Sequence, residues 1–528
     1  MIDITANFHK AANLVKVWGK ATLPCGNSVE DVLTIKGIPF WCVVSPMFAI
    51  GHVSHALSQS PLQKKHKEYL RQIARDAYRV AMDAYVHRFA GAGDVNRWPV
   101  RPPFLFLGFS NYMYRETLRP VADRLAGRPD RTVVVFDDLL PFQEKKIARA
   151  ELSRSLWGIW NKDIARTAKE MRRELDVAIT KLVSPSGLPE VVESGGMDWS
   201  DLQHSFHWLF HSCLPLLVNQ AAVALYIMER HRPALILSTD VNDPRNRVFC
   251  LAGKPAGVRT LEVQFALYDE QSIEWRFFIS DHLAATGVNN SRIVMEHGVP
   301  GDKITVTGSP RYDDVRGWPE NFAQEIRRSL GVSENRKMIL FASHPYVYGF
   351  FGTPEIRREM IRALLEAVSK REELCLVVKP HPTENPAELS KFAQGIRNIR
   401  LADKTLDIRD LIKVADAFVS FASTSTFHAL VMKKPAISLE FPGGNTCGLF
   451  EHCGATLVAG SAGQIESIME SIKDGNIWER VGNLDAAREK LLDQWFYKLD
   501  GRAAERIENI ALDMAFEKGG GTKGAEGN

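Results

Sequence analysis

The sequence predicts an α/β protein of two Rossmann-like domains facing each other across a cleft, with an N-terminal extension and a helical insertion. Three observations carry that expectation. Short apolar runs alternate with amphipathic stretches, first from Phe104 and again from Met338, as strands and crossover helices of parallel sheets do. A polar, proline-containing stretch, residues 311–336, separates the two series. The chain, at 528 residues, is too long for one ordinary core.

The expected order is an extension over 1–100, a first Rossmann-like domain over 101–320 with a helical insertion near 141–230, a second over 335–485, closing helices over 486–517 that pack across the cleft, and a disordered tail over 518–528. In the extension, Ile35–Phe48 is an apolar, strand-like run, and Lys64–Phe89 carries helical periodicity through Tyr69, Ile73, Ala77, Val80, Ala81 and Tyr85. Strands follow at Pro103–Leu107 and Thr132–Phe136, with a helix at Arg115–Ala126 between them. Residues 141–230 read as wholly helical, with a loop at Ser184–Gly196. Strands return at Ala234–Ser238, Arg259–Val263, Phe277–Asp281 and Ile304–Thr307. In the second domain they fall at Met338–Ala342, Leu374–Val378, Ala417–Phe421 and Pro435–Leu439.

Composition excludes several classes. With 45% hydrophobic and 24% charged residues the chain has the make-up of a soluble globular protein. A net charge of +3 without a basic run offers no footprint for nucleic acid. The N-terminus lacks a signal peptide's apolar core. The best membrane candidate, Cys213–Met228, is broken by Asn219 and Gln220 and falls short of the roughly 20 residues a span needs. The expected location is cytoplasmic, with allowance for peripheral contact with the membrane. Seven scattered cysteines without a CxxC pair read as reduced core thiols. The Cys447-His452-Cys453 group fits no structural zinc spacing. His204, His207 and His211 share one helix face, but no carboxylate or fourth ligand accompanies them. His52 and His55 read as loop histidines.

The chemistry concentrates at strand ends, where ligands bind in open α/β sheets. Lys379-Pro380-His381-Pro382 closes one strand, Ser343-His344-Pro345 another, and Ser423-Thr424-Ser425-Thr426 a third. Lys379 and His381 can offer charge and donors to a phosphate, and hydroxyls at a helix start favour an anion. In the first domain Asp240, Asp243 and Glu262 lie at or near strand ends and are candidate general bases. Asp243 precedes Pro244 and equally suits an N-cap. Gly108-Phe109-Ser110-Asn111 is a turn that could serve a phosphate or a sugar.

Val377–Pro382 (VVKPHP) and Ser423–Thr426 resemble the HP and serine/threonine motifs of bacterial polysialyltransferases, capsule Kdo transferases and teichoic-acid glycerophosphotransferases, which are enzymes of the GT-B architecture. Val306–Asp314 (VTGSPRYDD) and Leu499–Ile507 (LDGRAAERI) are similar to stretches of the same enzymes. The resemblance, over about residues 230–515, implies a metal-independent glycosyltransferase of cell-surface polysaccharide synthesis. It needs no cofactor, because a nucleotide-sugar is co-substrate, and its acceptor is an oligosaccharide or lipid-linked glycan. It places His381 and Lys379 on the donor phosphate, Ser423, Thr424, Ser425 and Thr426 around it, and Ser343 and His344 nearby. Glu440 would reach the ribose, and Ser309 and Arg311 would contact substrate. Several relatives carry Gln-His-Gly where this chain has Gln264-Phe265-Ala266, so the base falls to Asp240 or Glu262. The cytidine-using relatives incline the donor towards a CMP-linked acidic sugar, transferred with inversion. The alternatives are a non-hydrolysing UDP-sugar 2-epimerase, a CDP-glycerol glycerophosphotransferase, and a non-catalytic polysaccharide-binding scaffold.

Overall fold

The computed structural model describes residues 4–57, 102–128, 131–137, 152–155, 158–267, 272–313, 319, 321–344, 353–381, 384–421, 423–440, 454–481 and 484–516. The Lys64–Phe89 helix, Pro345, Pro382, the Cys447-His452-Cys453 group and the tail lie outside them. The chain divides into two compact units, residues 1–314 with 498–528, and residues 315–497.

Unit 1 opens on helix Ile4–Lys20 and a minimal hairpin, β1 (Thr34–Ile35) with β2 (Ile38–Pro39). The strand expected over Ile35–Phe48 is instead mostly helix, Phe40–Phe48. Its apolar residues are buried all round, against a helical rather than a sheet neighbourhood, and continuous burial erases the alternation that separates strand from helix. Trp41 donates from Nε1 to the Val15 carbonyl at 3.1 Å. Gly19 lets this ring approach: a Cβ there would sit 2.3 Å from Trp41 Nε1.

The unit 1 sheet has seven strands: β3 (Phe104–Leu107), β4 (Val133–Asp137), β5 (Leu152–Ser155), β6 (Leu235–Ser238), β7 (Thr260–Val263), β8 (His282–Ala285) and β9 (Ile304–Val306). They lie in the order β5-β4-β3-β6-β7-β8-β9, every pair parallel. Alternation sorts the faces. Phe104 and Phe106 pack with helices Arg119–Ala126 and Ala503–Phe516. Leu105 and Leu107 point into the larger core with the N-terminal helices, Lys162–Leu182 and Leu214–Arg230.

Three expectations need correction here. Residues 141–230 are not wholly helical, since β5 joins the sheet edge. The loop at Ser184–Gly196 contains helix Leu188–Ser194. The strand expected at Phe277–Asp281 begins at His282, because Ile273–Phe277 tightens into a 3₁₀ turn. Two helical runs are also long and apolar enough to cross a membrane by length and composition, Phe40–Leu57 and Trp199–Arg230. Over half of each is buried inside the structure, 56% and 61%. The second runs on from Trp199 because the π-turn Leu209–Cys213 carries the helix through.

Unit 2 contains β10 (Lys337–Ala342), β11 (Leu374–Lys379), β12 (Ile399–Leu401), β13 (Ala417–Ser420), β14 (Ala436–Leu439) and β15 (Leu457–Ala459). Their order is β12-β11-β10-β13-β14-β15, again all parallel. Both sheets therefore start in the middle, grow to one side and then jump back to grow to the other. The strand order reverses between β3 and β6 in unit 1 and between β10 and β13 in unit 2, and such switch points are where open sheets take ligands.

Helix Ala503–Phe516 rejoins unit 1, and the motifs Val306–Asp314 and Leu499–Ile507 meet there. The Asp313 carboxylate accepts from the backbone N–H of Ala503 at 3.0 Å and of Ala504 at 2.6 Å, capping a helix 190 residues downstream. Arg506 donates to the Thr307 carbonyl at 2.6 Å and pairs with Asp500 at 2.9 Å. Buried Glu508 takes Arg124 and Arg128 at 2.7 and 2.6 Å. Removing the cap with Asp313→Ala should cost about 1–2 kcal/mol. Thermal or urea unfolding should show this as a lower midpoint with the catalytic groups untouched.

Candidate active site

In unit 2 the sheet register sets the geometry. Lys379, Ala342 and Ser420 are aligned across three neighbouring strands. At a strand spacing of about 4.8 Å, the chain after β11 and the chain after β13 leave the same edge about 10 Å apart, with Ser343-His344 between them. The three strand-end motifs, which are scattered over some eighty positions of the sequence, share the carboxyl edge at the switch point.

A buried ion pair holds this edge together. Arg357 and Glu384 are both buried and bonded to each other. Glu384 Oε1 also accepts from Ser343 Oγ at 3.1 Å, and Oε2 accepts from the His381 backbone N–H at 3.2 Å. Arg357 Nε donates to the His344 carbonyl at 2.7 Å. One carboxylate and one guanidinium thus fix the backbone on both sides of the histidines. The His344 and His381 rings meet with centroids 4.8 Å apart. A buried pair anchored to this many neighbours gives positional precision more than stability.

Burial, the neighbouring His344 and Lys404 lower the pKa of His381 to about 4. It is therefore a neutral imidazole at pH 7, a hydrogen-bonding group rather than the cation the sequence reading expects. Lys379 also differs from expectation. Its side chain is buried, its ammonium donates to the Asp403 carbonyl at 2.7 Å, and burial lowers its pKa. The exposed cation beside His381 is Lys404, which donates to the Glu384 carbonyl.

The hydroxyl cluster divides. Thr426 is fully buried, its Oγ1 2.8 Å from Ser420 Oγ, and it faces the core. Ser423 and Ser425 are half-buried, with their hydroxyls 2.8 Å apart, and Thr424 is exposed. The helix they open, Thr426–Val431, has only six residues. The N–H groups of Thr426, Phe427 and His428 already donate to the carbonyls of Ser423, Thr424 and Ser425. What this turn offers a ligand is therefore hydroxyls, not the free amides expected of a helix start. Glu440 follows β14 directly, with its carboxylate oxygens out of solvent.

In unit 1, Asp240 and Asp243 follow β6. Asp243 is the N-cap: it accepts from Arg245 N–H at 2.8 Å and pairs with the Arg245 guanidinium at 2.6 Å. Asp240 accepts from Asn242 N–H at 3.0 Å. Burial, with the Asp243 charge beside it, raises its pKa to about 6. Glu262 lies within β7, 3% exposed, hydrogen-bonded to Ser238 on the neighbouring strand. Burial raises its pKa to about 8, so it is protonated at neutral pH. The two candidates separate: Asp240 sits at the sheet's edge and ionises near neutrality, whereas Glu262 is an internal acid. Buried Arg247 ties this region to the extension by donating to the carbonyls of Cys42, Val241 and Phe277.

Ser309 and Arg311 follow β9. Ser309 is buried. Arg311 donates to the Tyr112 hydroxyl at 2.5 Å, and its guanidinium lies 5.6 and 5.5 Å from the ring centres of Tyr112 and Phe265. Elsewhere, His52 is a packing group, stacked on Phe48 and Trp208 with Nδ1 3.0 Å from Ser205 Oγ. His204, His207 and His211 are exposed, with the last two rings 4.5 Å apart. Among the described residues no group of three or more His, Cys, Asp or Glu could hold a metal ion. Of the described cysteines Cys250 and Cys375 are buried, but Cys25 is exposed rather than in a core.

Arg357, Glu384 and Lys404 are absent from the sequence-based site. Only Glu384 leaves a local trace: a carboxylate three residues after His381 that reaches back to its N–H repeats the logic of a capping box. Arg357 and Lys404 reach the site only through the sheet order.

Residues 268–512, just under half of the chain, match the family model described as CDP-glycerol:poly(glycerophosphate) glycerophosphotransferase. No curated protein matches the chain in sequence. Solved structures resemble its course at low identity. A UDP-N-acetylglucosamine 2-epimerase gives 13% identity and a TM-score of 0.49 over 81% of this chain and 99% of that one. The Neisseria meningitidis UDP-GlcNAc 2-epimerase bound to UDP-GlcNAc gives 13% and 0.48 over 78% and 100%. A variant of the wall teichoic acid polymerase TagF gives 10% and 0.48 over 85% and 98%.

Proposed function

We propose that this chain, a transferase of the surface-polysaccharide type, moves a sugar from a cytidine-nucleotide donor to a glycan acceptor, with inversion and without a metal. The observation that supports this best is the shared carboxyl edge of β10, β11 and β13, where the Arg357–Glu384 pair fixes the backbone of His344 and His381, Lys404 lies beside His381, and the Ser423 and Ser425 hydroxyls follow β13.

In this reading unit 2 holds the donor's phosphate. Ser423 and Ser425 donate their hydroxyls, Lys404 supplies charge, and the neutral His381 gains affinity for a proton as the phosphate arrives. In unit 1, ionised Asp240 takes the proton from an acceptor hydroxyl. That oxygen attacks the anomeric carbon opposite the phosphate, the carbon–oxygen bond to the phosphate breaks, and the nucleotide leaves with the electron pair. Donors already placed where the negative charge appears do the stabilising. The proposed donor is a CMP-linked acidic sugar, and the proposed location is the cytoplasm, with allowance for peripheral association with the inner face of the membrane or a polysaccharide assembly complex.

A second reading, glycerophosphoryl transfer from CDP-glycerol, is favoured by the family description. Against it stands Phe265, which occupies the position of the histidine in Gln-His-Gly. Both readings require cytidine. Thermal-shift measurements with CMP, CDP, UDP and GDP should give their largest rise with a cytidine nucleotide, since stabilisation follows saturation. A preference for UDP would overturn the donor assignment and favour an epimerase. Product formation from CMP-sugar against CDP-glycerol separates the two transferase readings.

A further inference from the structure

The turn after β3 contains an aromatic group that neither the base nor the donor edge uses. Tyr112 is 44% exposed, unusual for a ring so firmly held. Arg311 donates to its hydroxyl at 2.5 Å and lies over its ring. Phe265 braces it edge-on, centroids 5.6 Å apart at 78°. Arg311 is itself fixed, with its side chain 9% exposed and its Nε 3.8 Å from buried Glu116. Three segments, following β3, β7 and β9, converge on this ring.

An exposed aromatic normally lowers its cost by moving or by packing. Here the molecule holds one still and leaves its surface open at the carboxyl edge of the sheet. A fixed aromatic face suits the apolar C–H face of a pyranose ring. The tyrosine hydroxyl, which accepts from Arg311, keeps its own hydrogen to donate to a sugar oxygen, and a donor polarised by a guanidinium is a strong one. A flexible polyol phosphate has no such face to offer.

We propose that Tyr112, positioned by Arg311 and Phe265, is the platform on which a pyranose ring of the acceptor stacks. This rests on the transferase reading above and adds the class of acceptor: a ring-containing glycan, not poly(glycerol phosphate). Phe265 then has a role of its own, bracing the platform.

Saturation-transfer NMR on the full chain tests it, with lactose, N-acetyllactosamine and chitobiose as ring probes and glycerol 3-phosphate as the ring-free one. The ring protons of at least one disaccharide should receive saturation. Y112A should weaken that binding about tenfold, in line with aromatic stacking energies, and Y112W should restore it. Unchanged thermal midpoints establish that both variants fold. No disaccharide signal, equal signals from wild type and Y112A, or Tyr112-dependent binding of glycerol 3-phosphate alone would each overturn the proposal. A missing cytidine thermal shift would instead sink the donor reading and leave the platform standing.

Discussion

His381→Ala should lower turnover by about 10²–10³-fold, the usual cost of removing one placed donor where charge develops. The fold should survive. The imidazole is half-buried and its ring meets His344, while the contact that organises the loop, Glu384 to the residue 381 backbone N–H, does not need the side chain. The pH behaviour offers a second signature. The folded-state pKa of about 4 lies below the ordinary 6.5. The unfolded chain therefore binds the proton first as pH falls, and this group removes stability between 6.5 and 4. His381→Ala should flatten stability over that window. Full turnover in a folded His381→Ala protein would remove the histidine from the mechanism.

The other large effect belongs to Asp240. Asp240→Asn should lower turnover by about 10²–10⁴-fold, the range for a general base, with nucleotide affinity unchanged. A base acts when ionised, so wild-type kcat/KM should rise with pH through about 6 and level off above it, following the Asp240 pKa. A rising limb near 8 would match Glu262 instead. Glu262→Gln, which keeps a partner for Ser238, should leave the limb near 6 in place.

Much of the architecture is legible in the sequence because parallel strands buried on both faces leave continuous apolar runs, and helices between them leave 3.6-residue periodicity. Leu374–Lys379 and Ala417–Ser420 fall within a residue of expectation for that reason. The extension defeats the same logic, since Phe40–Phe48 is buried on all sides and so shows no period of either kind. At the site, residue types at strand ends are legible, but their ionisation and direction are not. Burial decides that Lys379 bonds Asp403 and that His381 is neutral. Register decides that Thr426 turns to Ser420 while Ser423 and Ser425 stay accessible. Arg357 and Glu384 lie 27 residues apart and meet only once β10 and β11 pair.

In the proposed reaction the unit 2 sheet edge grips the donor's phosphate through His381, Ser423 and Ser425. Calorimetric titration of CMP measures that grip, with wild type, a variant carrying His381→Ala, Ser423→Ala and Ser425→Ala together, and Asp240→Asn. Binding should be at least a hundredfold weaker in the triple variant and unchanged in Asp240→Asn. Equal affinity in the wild type and a folded triple variant would contradict it.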